Sequence, residues 1–512
     1  MNARASQINP EPRSRVEKAL GWALCVWLIA CVIGFLVVSR NWPLVGDVTY
    51  IHYIVFLMHH GMAPYRNIVD MNLPGTYMLE GSVMASLGAG SLAWRIYDLL
   101  LILIASLSIF IILKPYGRLA TISTATLFLM VHAQDGEIMA GERDFAAAVF
   151  LLAATALLFT SLRRPRISHA FIAAFGLLSG AAITIKPTVL LIVLCLFVWS
   201  SLTLHRRSIS LTRFLASALA GCAIPLLATF LFLVHHNALA AFREALHGLI
   251  PYHASLAHKS FSFLLSHSIS PLLLLFMLWL IVVAITRPSF KLDSERLALI
   301  LCALAGLLSY LLQQKGFAYQ RYPFLAFLLP LITADLTALA KTRTATRCIG
   351  IAGLIATAVF CTIFLARITH FDRHEPDRPL LHDLQSLNVA DNQVQCMDTA
   401  GSCIDNLYAG HIVQFTGFLY DCYLLDGTNP VALDLRRRFW QAIDRNPPRL
   451  IVVTDSACYD PVPTFDKFSK WPEFSTFLAA NYTLARTSGP QRPVHYWSRA
   501  VTPFAYRIYI HR

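Results

Sequence analysis

Residues 19–39 read ALGWALCVWLIACVIGFLVVS, twenty-one positions without a charge. A bilayer core is crossed by about 17–25 apolar residues of helix, so this run is long enough to span one. Ten more apolar stretches follow, at 96–113, 119–133, 145–162, 167–185, 188–204, 214–234, 260–286, 297–314, 323–340 and 348–366, of which those at 96–113, 119–133 and 323–340 are shorter or slightly polar. Composition agrees with them. Of 512 residues, 56% are hydrophobic and 14% charged, and the mean hydropathy is +0.57. Soluble domains carry about 25% charged residues, which excludes a soluble enzyme. The chain reads as an α-helical polytopic membrane protein with about eleven transmembrane helices. Only Lys186-Pro187 separates the fifth stretch from the sixth, which leaves open a helical hairpin or one broken helix.

The net charge of +13 sets the orientation. With the N-terminus inside, the inner loops hold Arg4, Arg13, Arg15, Lys18, Lys114, Arg118, Arg163, Arg164, Arg166, Arg206, Arg207, Arg213, Arg287, Lys291, Arg296, Lys341, Arg343 and Arg347. Against these 18 basic residues stand five acidic ones: Glu11, Glu17, Asp293, Glu295 and Asp335. The outer loops carry nine of each sign, and the part after 366 fifteen of each. The whole excess lies on one face, as the positive-inside rule describes, so it reads as a topology signal and nucleic acid is not implied. The first span exceeds a signal-peptide core of about 7–15 residues and lacks a small-residue cleavage site, so it reads as uncleaved.

Eleven spans place residues 367–512 outside the membrane opposite the N-terminus. Apolar runs shorten there, and turn dipeptides such as Asp426-Gly427 and Asn429-Pro430 enter. Residues 450–453 and 506–510 read as strands and 468–481 as a helix, so the division is a transmembrane domain, 1–366, and a soluble extracytoplasmic α/β domain, 367–512. Cys396, Cys403, Cys422 and Cys458 fall in the second. One or two disulfides suit an oxidising compartment, with Cys396 and Cys403 the nearest pair.

The outer loops 40–95, 134–144, 235–262 and 314–322 carry the chemistry. In the first, apolar residues at 48, 51, 55, 58 and 62 predict a helix over 48–60 lying in the membrane interface, with Asp47 at its N-terminus. A carboxylate held at that depth suits a general base; the plainer reading is an N-cap. The second loop packs Asp135, Glu137, Glu142, Arg143 and Asp144 into ten residues. They suit an acid or base, oxygen ligation of a divalent metal, or a sugar contact, and otherwise form a solvated turn whose Glu142 or Asp144 caps the next helix. Lys186 suits a phosphate or a snorkelling lysine. His235, His236, His247, His253 and His258 are irregularly spaced and read as interfacial. Lys315, Tyr319 and Arg321 suit a phosphate oxyanion, or an aromatic belt with flanking cations. No D-x-D, P-loop or GxGxxG motif is present. The absence of D-x-D disfavours a metal-bound nucleotide sugar and leaves a donor presented from the lipid.

These residues resemble bacterial glycosyltransferases of the GT-C fold. The likeness rests on Gly46-Asp47, Ala63-Pro64-Tyr65, Asn72-Leu73-Pro74-Gly75, Glu142-Arg143-Asp144, Lys186-Pro187 and the 315–323 segment. In the tail it rests on Cys396-Met397-Asp398, Phe418-Leu419-Tyr420-Asp421 and Trp471-Pro472-Glu473-Phe474. The chain is similar to lipopolysaccharide galacturonosyltransferase-like proteins and, at greater distance, to protein O-mannosyltransferases and lipid A aminoarabinose transferases. The resemblance implies inverting transfer of a sugar from a polyprenyl-phosphate carrier to a glycan, lipid or protein acceptor at the outer face of the inner membrane. It implies Asp47 as catalytic base, Glu142 or Asp144 as a second acidic residue, and Lys186, Lys315 and Arg321 on the leaving phosphate. Arg143 and Tyr319 join the substrate-binding set by their place in the same loops. No metal ligand is named, although a divalent metal is admissible. Asp70 has no assigned role, and Arg95 and Asp98, three apart, read as a pair on one helix face.

The rival reading is a transporter or flippase of a lipid-linked sugar. It requires charges along the spans, where Asp335 and Asp98 alone are candidates.

Overall fold

The computed structural model describes residues 15–207, 210–286, 294–342, 346–369, 378–399, 402–444, 446–456, 458–459, 463–489 and 504–512. Of the predicted inner charges, Arg4, Glu11, Arg13, Arg287, Lys291, Asp293 and Arg343 lie outside those residues.

The first half of the bundle comprises α1 (Arg15–Ser39), α2 (Asp47–His59), α3 (Pro74–Leu87), α4 (Ser91–Leu113), α5 (Arg118–Ala133), α6 (Arg143–Leu162), α7 (His169–Ile185) and α8 (Leu190–Arg206). The second half comprises α9 (Leu211–His235), α10 (Leu239–Glu244), α11 (Ile250–Ser255), α12 (Phe261–Ile269), α13 (Leu273–Thr286), α14 (Glu295–Gln313), α15 (Tyr322–Ala340) and α16 (Arg347–Ile368). Among the described residues eight helices are long and apolar enough to span a membrane: α1, α4, α6, α8, α9, α14, α15 and α16. The segments α12 and α13 form one further candidate, bent by 82°, and α5 and α7 are shorter apolar helices. These account for all eleven predicted stretches. The protein is a multi-pass membrane protein.

Contacts at the helix ends order the passes. Arg163, after α6, pairs with Glu295 at 2.6 Å and donates to the carbonyls at the end of α4, while Arg207, after α8, donates to Leu162 O at 2.5 Å. Lys341, after α15, donates to Tyr116 O at 2.8 Å. Lys186 instead reaches Asp144 at the opposite end of α6. α7 and α8 are therefore two antiparallel passes with Lys186-Pro187 at the tip, which settles the hairpin question. Close packing of α7 on α9 depends on glycine. A Cβ on Gly176 would strike the Ala218 carbonyl, and one on Gly221 the Ala173 carbonyl, the small-residue contact that lets membrane helices approach.

One expectation is corrected. α2 does not lie in a lipid interface. Val48, Ile51, Tyr53, Ile54, Val55 and Leu57 are all buried, and Tyr53 OH donates to Ile412 O (2.9 Å) and accepts from Gln414 N–H (2.8 Å). The C-terminal part packs on the side that carries His52, Tyr53 and Phe56, and α3 lies against Val55 of the stripe that the spacing assigned to lipid.

That part contains α17 (Pro379–Ser386), α18 (Ser402–Ala409), α19 (Cys422–Leu425), α20 (Pro430–Ile443) and α21 (Pro472–Asn481) around β1 (Val394–Met397), β2 (Leu450–Thr454), β3 (Tyr482–Ser488) and β4 (Tyr506–His511). The sheet runs β1-β2-β4-β3, with β1 and β2 parallel and the other pairs antiparallel. β1 and β2 are fully buried, as strands covered on both faces must be. Disulfides join Cys396 to Cys403 and Cys422 to Cys458.

Candidate active site

The site lies where the first outer loop, the 134–144 loop, the Lys186 tip, the turn after α14 and the C-terminal part converge. α2 begins at Asp47 because Gly46, at φ +74, turns the chain into it. Gly46 occupies the N-cap position and the Asp47 side chain makes no capping bond, so its carboxylate is not consumed by the helix. It is half exposed, at 51%.

The 134–144 loop is fixed from below by a buried network on α4 and α5. Asp98 Oδ1 accepts from Gly141 N–H at 2.8 Å and lies 2.9 Å from His132 Nε2; His132 Nδ1 lies 2.8 Å from Tyr322 OH. Arg95 completes the network by pairing with Asp98 on the same helix face. The Trp94 indole donates to Ala140 O at 2.8 Å and packs against Gly141, whose φ of +66 suits glycine. The chain then enters α6 at Glu142, whose carboxylate accepts from Asp144 N–H at 2.5 Å. The capping role foreseen for this loop belongs to Glu142.

Arg143 stands among three carboxylates, 3.7 Å from Asp47, 4.0 Å from Glu142 and 3.9 Å from Asp144, with its guanidinium 6.0 Å from the Tyr319 ring centre. Lys186 Nζ lies 2.8 Å from Asp144 Oδ1. Glu142 and Asp144 are 1% exposed. Burial, reinforced by the Asp144 charge, pushes Glu142 up to about 8. Five predicted residues, Asp47, Glu142, Arg143, Asp144 and Lys186, thus form one cluster of ionisable groups, with Tyr319 at its edge. Asp47 alone among its carboxylates is open to a substrate. Glu142 and Asp144, foreseen as catalytic, hold Arg143 and Lys186 in place.

The Lys315 ammonium donates to the carbonyls of His253 (2.8 Å) and Leu256, and burial lowers it to about 8. Arg321 does not join the cluster. Its guanidinium donates to the carbonyls of His267 (3.0 Å) and Ser270, capping the end of α12, and to Ala318 O (3.1 Å). A helix C-terminus offers free carbonyls, and Arg321 satisfies them, so its guanidinium is engaged away from the cluster. Asp70, without a role in the sequence, accepts from Asn72 N–H (3.0 Å), Tyr77 OH (2.5 Å) and Tyr50 OH (3.3 Å) and so shapes the first loop.

The sequence reading missed His253. Burial, with the charges of Lys315, Arg143 and Lys186, lowers it to about 3, so it is a neutral imidazole ringed by the site's cations. It lies 3.0 Å from Tyr423 OH. Irregular histidine spacing carries no signal that would distinguish it from its neighbours in the loop. The admissible divalent metal finds no donor set. Glu142 and Asp144 face cations, and among the described residues no three His, Cys, Asp or Glu side chains are grouped to hold an ion.

Twelve chains of solved structures match this one in shape, among them the three that follow. The chain resembles ArnT from Cupriavidus metallidurans bound to undecaprenyl phosphate, with a TM-score of 0.58, 12% identity, and 96% of this chain and 98% of that one covered. The apo form of the same protein gives a TM-score of 0.57 at 12% identity over the same shares. The archaeal oligosaccharyltransferase AglB from Archaeoglobus fulgidus, in complex with an inhibitory peptide and a dolichol-phosphate, gives 0.55 at 13% identity, covering 93% of this chain and 74% of that one. No family model matches the chain, and no curated protein matches it significantly. The likeness is therefore one of fold, and the fold is GT-C.

Proposed function

We propose that the protein is an inverting glycosyltransferase that moves a sugar from a polyprenyl-phosphate carrier to a glycan, lipid or protein acceptor at the outer face of the inner membrane. The observation that carries the proposal is the solvent-open Asp47 carboxylate beside Arg143 and Lys186. Asp47 accepts the proton of an acceptor hydroxyl while its oxygen attacks the anomeric carbon. The bond from that carbon to the phosphate oxygen breaks, and the polyprenyl phosphate leaves with the electron pair. Arg143 and Lys186, already fixed by buried carboxylates, meet the developing charge without reorganising. The fold neighbours carry undecaprenyl phosphate and dolichol-phosphate, which supports a lipid-linked donor. The outward orientation is supported by the basic residues gathered at the helix ends opposite the site.

The transport reading loses its support within the spans. Asp335 is paired with Arg296 and the Trp279 indole (2.8 Å), and Asp98 belongs to the network under Gly141. The deciding experiment is lipid mass spectrometry of cells lacking the protein, rescued with wild type or Asp47→Asn. Build-up of a sugar on polyprenyl monophosphate, cleared by wild type only, is expected. Build-up of glycan on polyprenyl diphosphate, cleared equally by both, would establish transport and retire Asp47 as base.

A further inference from the structure

We infer that the C-terminal domain forms one wall of the transfer site and that Tyr420 and Tyr459 on it take the sugar ring of the carrier-linked donor. This rests on the transfer reaction proposed above. Two loops bring the tyrosines forward. One holds Tyr420 and leads into α19 with Cys422 and Tyr423; the other, after β2, carries Cys458 and Tyr459, and the φ of Tyr459 is +51.

The loops are joined twice. The Cys422–Cys458 disulfide links them covalently. Beneath it, Lys467 Nζ lies 2.7 Å from Asp421 Oδ2 in the first loop and donates to Ser456 O in the second at 2.9 Å and to Met397 O at the end of β1 at 3.1 Å. Lys467 and Asp421 have side chains 1% exposed. A buried ion pair contributes little net stability; this one determines where the two loops sit.

The loops meet the bundle at its cations. Tyr423 OH is 3.0 Å from His253 Nδ1, and Lys315 Nζ is 4.9 Å from the Tyr459 ring centre. The rings of Tyr420 and Tyr459 each lie 6.5 Å from that of His253. The first of these loops also packs beside the helix that carries the base: Gly417 O accepts from Val69 N–H at 2.9 Å, and the neighbouring Asp70 accepts at 3.3 Å from Tyr50 OH, three residues after Asp47 on α2. Tyr423 is buried whereas Tyr420 and Tyr459 are half-buried: the first supports the wall, and the other two leave ring surface open.

Aromatic faces against an apolar ring face, with hydroxyls, an imidazole and an ammonium at the edge, form a surface suited to a pyranose. A polyprenyl tail would need an apolar lining that this wall lacks. The phosphate belongs beside Arg143 and Lys186, so the sugar on it extends toward the tyrosines.

The test uses the full-length protein in detergent. Its ligands are undecaprenyl phosphate alone and undecaprenyl phosphate carrying mannose, galacturonic acid or 4-amino-arabinose. Wild type should bind at least one glycosylated lipid more tightly than the bare lipid. Tyr459→Leu, Tyr420→Leu and the Cys422→Ser/Cys458→Ser pair should weaken that lipid about tenfold, the range of a lost aromatic contact. They should raise donor KM more than they lower kcat and leave bare-lipid affinity within about twofold. Tyr459→Phe keeps the ring and should retain most binding, which separates stacking from misfolding. Equal weakening of bare and glycosylated lipid, or unchanged discrimination in all variants, would overturn the inference while transfer stands. A wild type that never prefers a glycosylated lipid would overturn both.

Discussion

Lys186→Met tests the electrostatic frame of the site most directly. Lys186 Nζ lies 2.8 Å from an Asp144 carboxylate that is 1% exposed, and the lysine side chain is 16% exposed. At an effective dielectric of about 20, two charges at that separation attract by about 6 kcal/mol before either is desolvated. Desolvation removes most of this, but deleting one partner leaves the other buried and uncompensated, which costs about 3–5 kcal/mol for a fully buried pair. Arg143 remains 3.9 Å from Asp144 and Lys186 has some access to water, so the expected loss is reduced to about 2–3 kcal/mol. Asp144→Asn should cost about 1 kcal/mol, since Lys186 can turn to solvent, and the double variant no more than about 1.5 kcal/mol. Denaturant titration of all four proteins in one detergent gives the coupling, expected near 2 kcal/mol. Both Lys186 variants should lose transfer even where stability recovers. Single costs that add to the double within about 0.5 kcal/mol would refute the pairing.

Three other outcomes follow from the same geometry. Asp47→Asn should lower transfer by about 10²–10⁴, the range of a lost general base, and shift stability by under about 1 kcal/mol because its ion pair is half exposed; a near-normal rate in a reconstituted assay would remove it from the mechanism. Glu142 ordinarily titrates near 4.5 and is raised to about 8, so its contribution to stability is complete below pH 4.5 and is lost as pH rises towards 8. Glu142→Gln should flatten that decline in melting curves taken between these pH values, and curves of equal slope would count against the shift. Gly141→Ala places a Cβ against the Trp94 indole at φ +66; it should cost about 2 kcal/mol or more and disorder the Arg143 loop, as donor-binding titrations would show.

Much of this protein was legible in the chain itself. The apolar runs determined the helices of the bundle, eight of them among the described residues long and apolar enough to span a membrane, with the bent α12–α13 pair a ninth candidate and α5 and α7 shorter, because a bilayer demands a long stretch of apolar helix. Asp47, Arg143, Asp144 and Lys186 could be singled out for the same reason: each is a charge at the end of an apolar run, on the side the basic loops avoid.

What those charges do was decided only by tertiary structure. Lys315 and Arg321 have the same sign and nearly the same position, yet Arg321 closes the end of α12 while Lys315 binds the carbonyls of His253 and Leu256 beside the Tyr459 ring; the difference lies in which carbonyls the fold brings within hydrogen-bond reach. An apolar stripe does not record what covers it, so α2 matched a lipid-facing helix although protein packs over it. His253 stands more than 160 residues before Tyr420 and Tyr459, which are themselves 39 apart. No spacing rule joins them, because a short-range contact depends on where folding brings the chain and not on how far along it two residues stand.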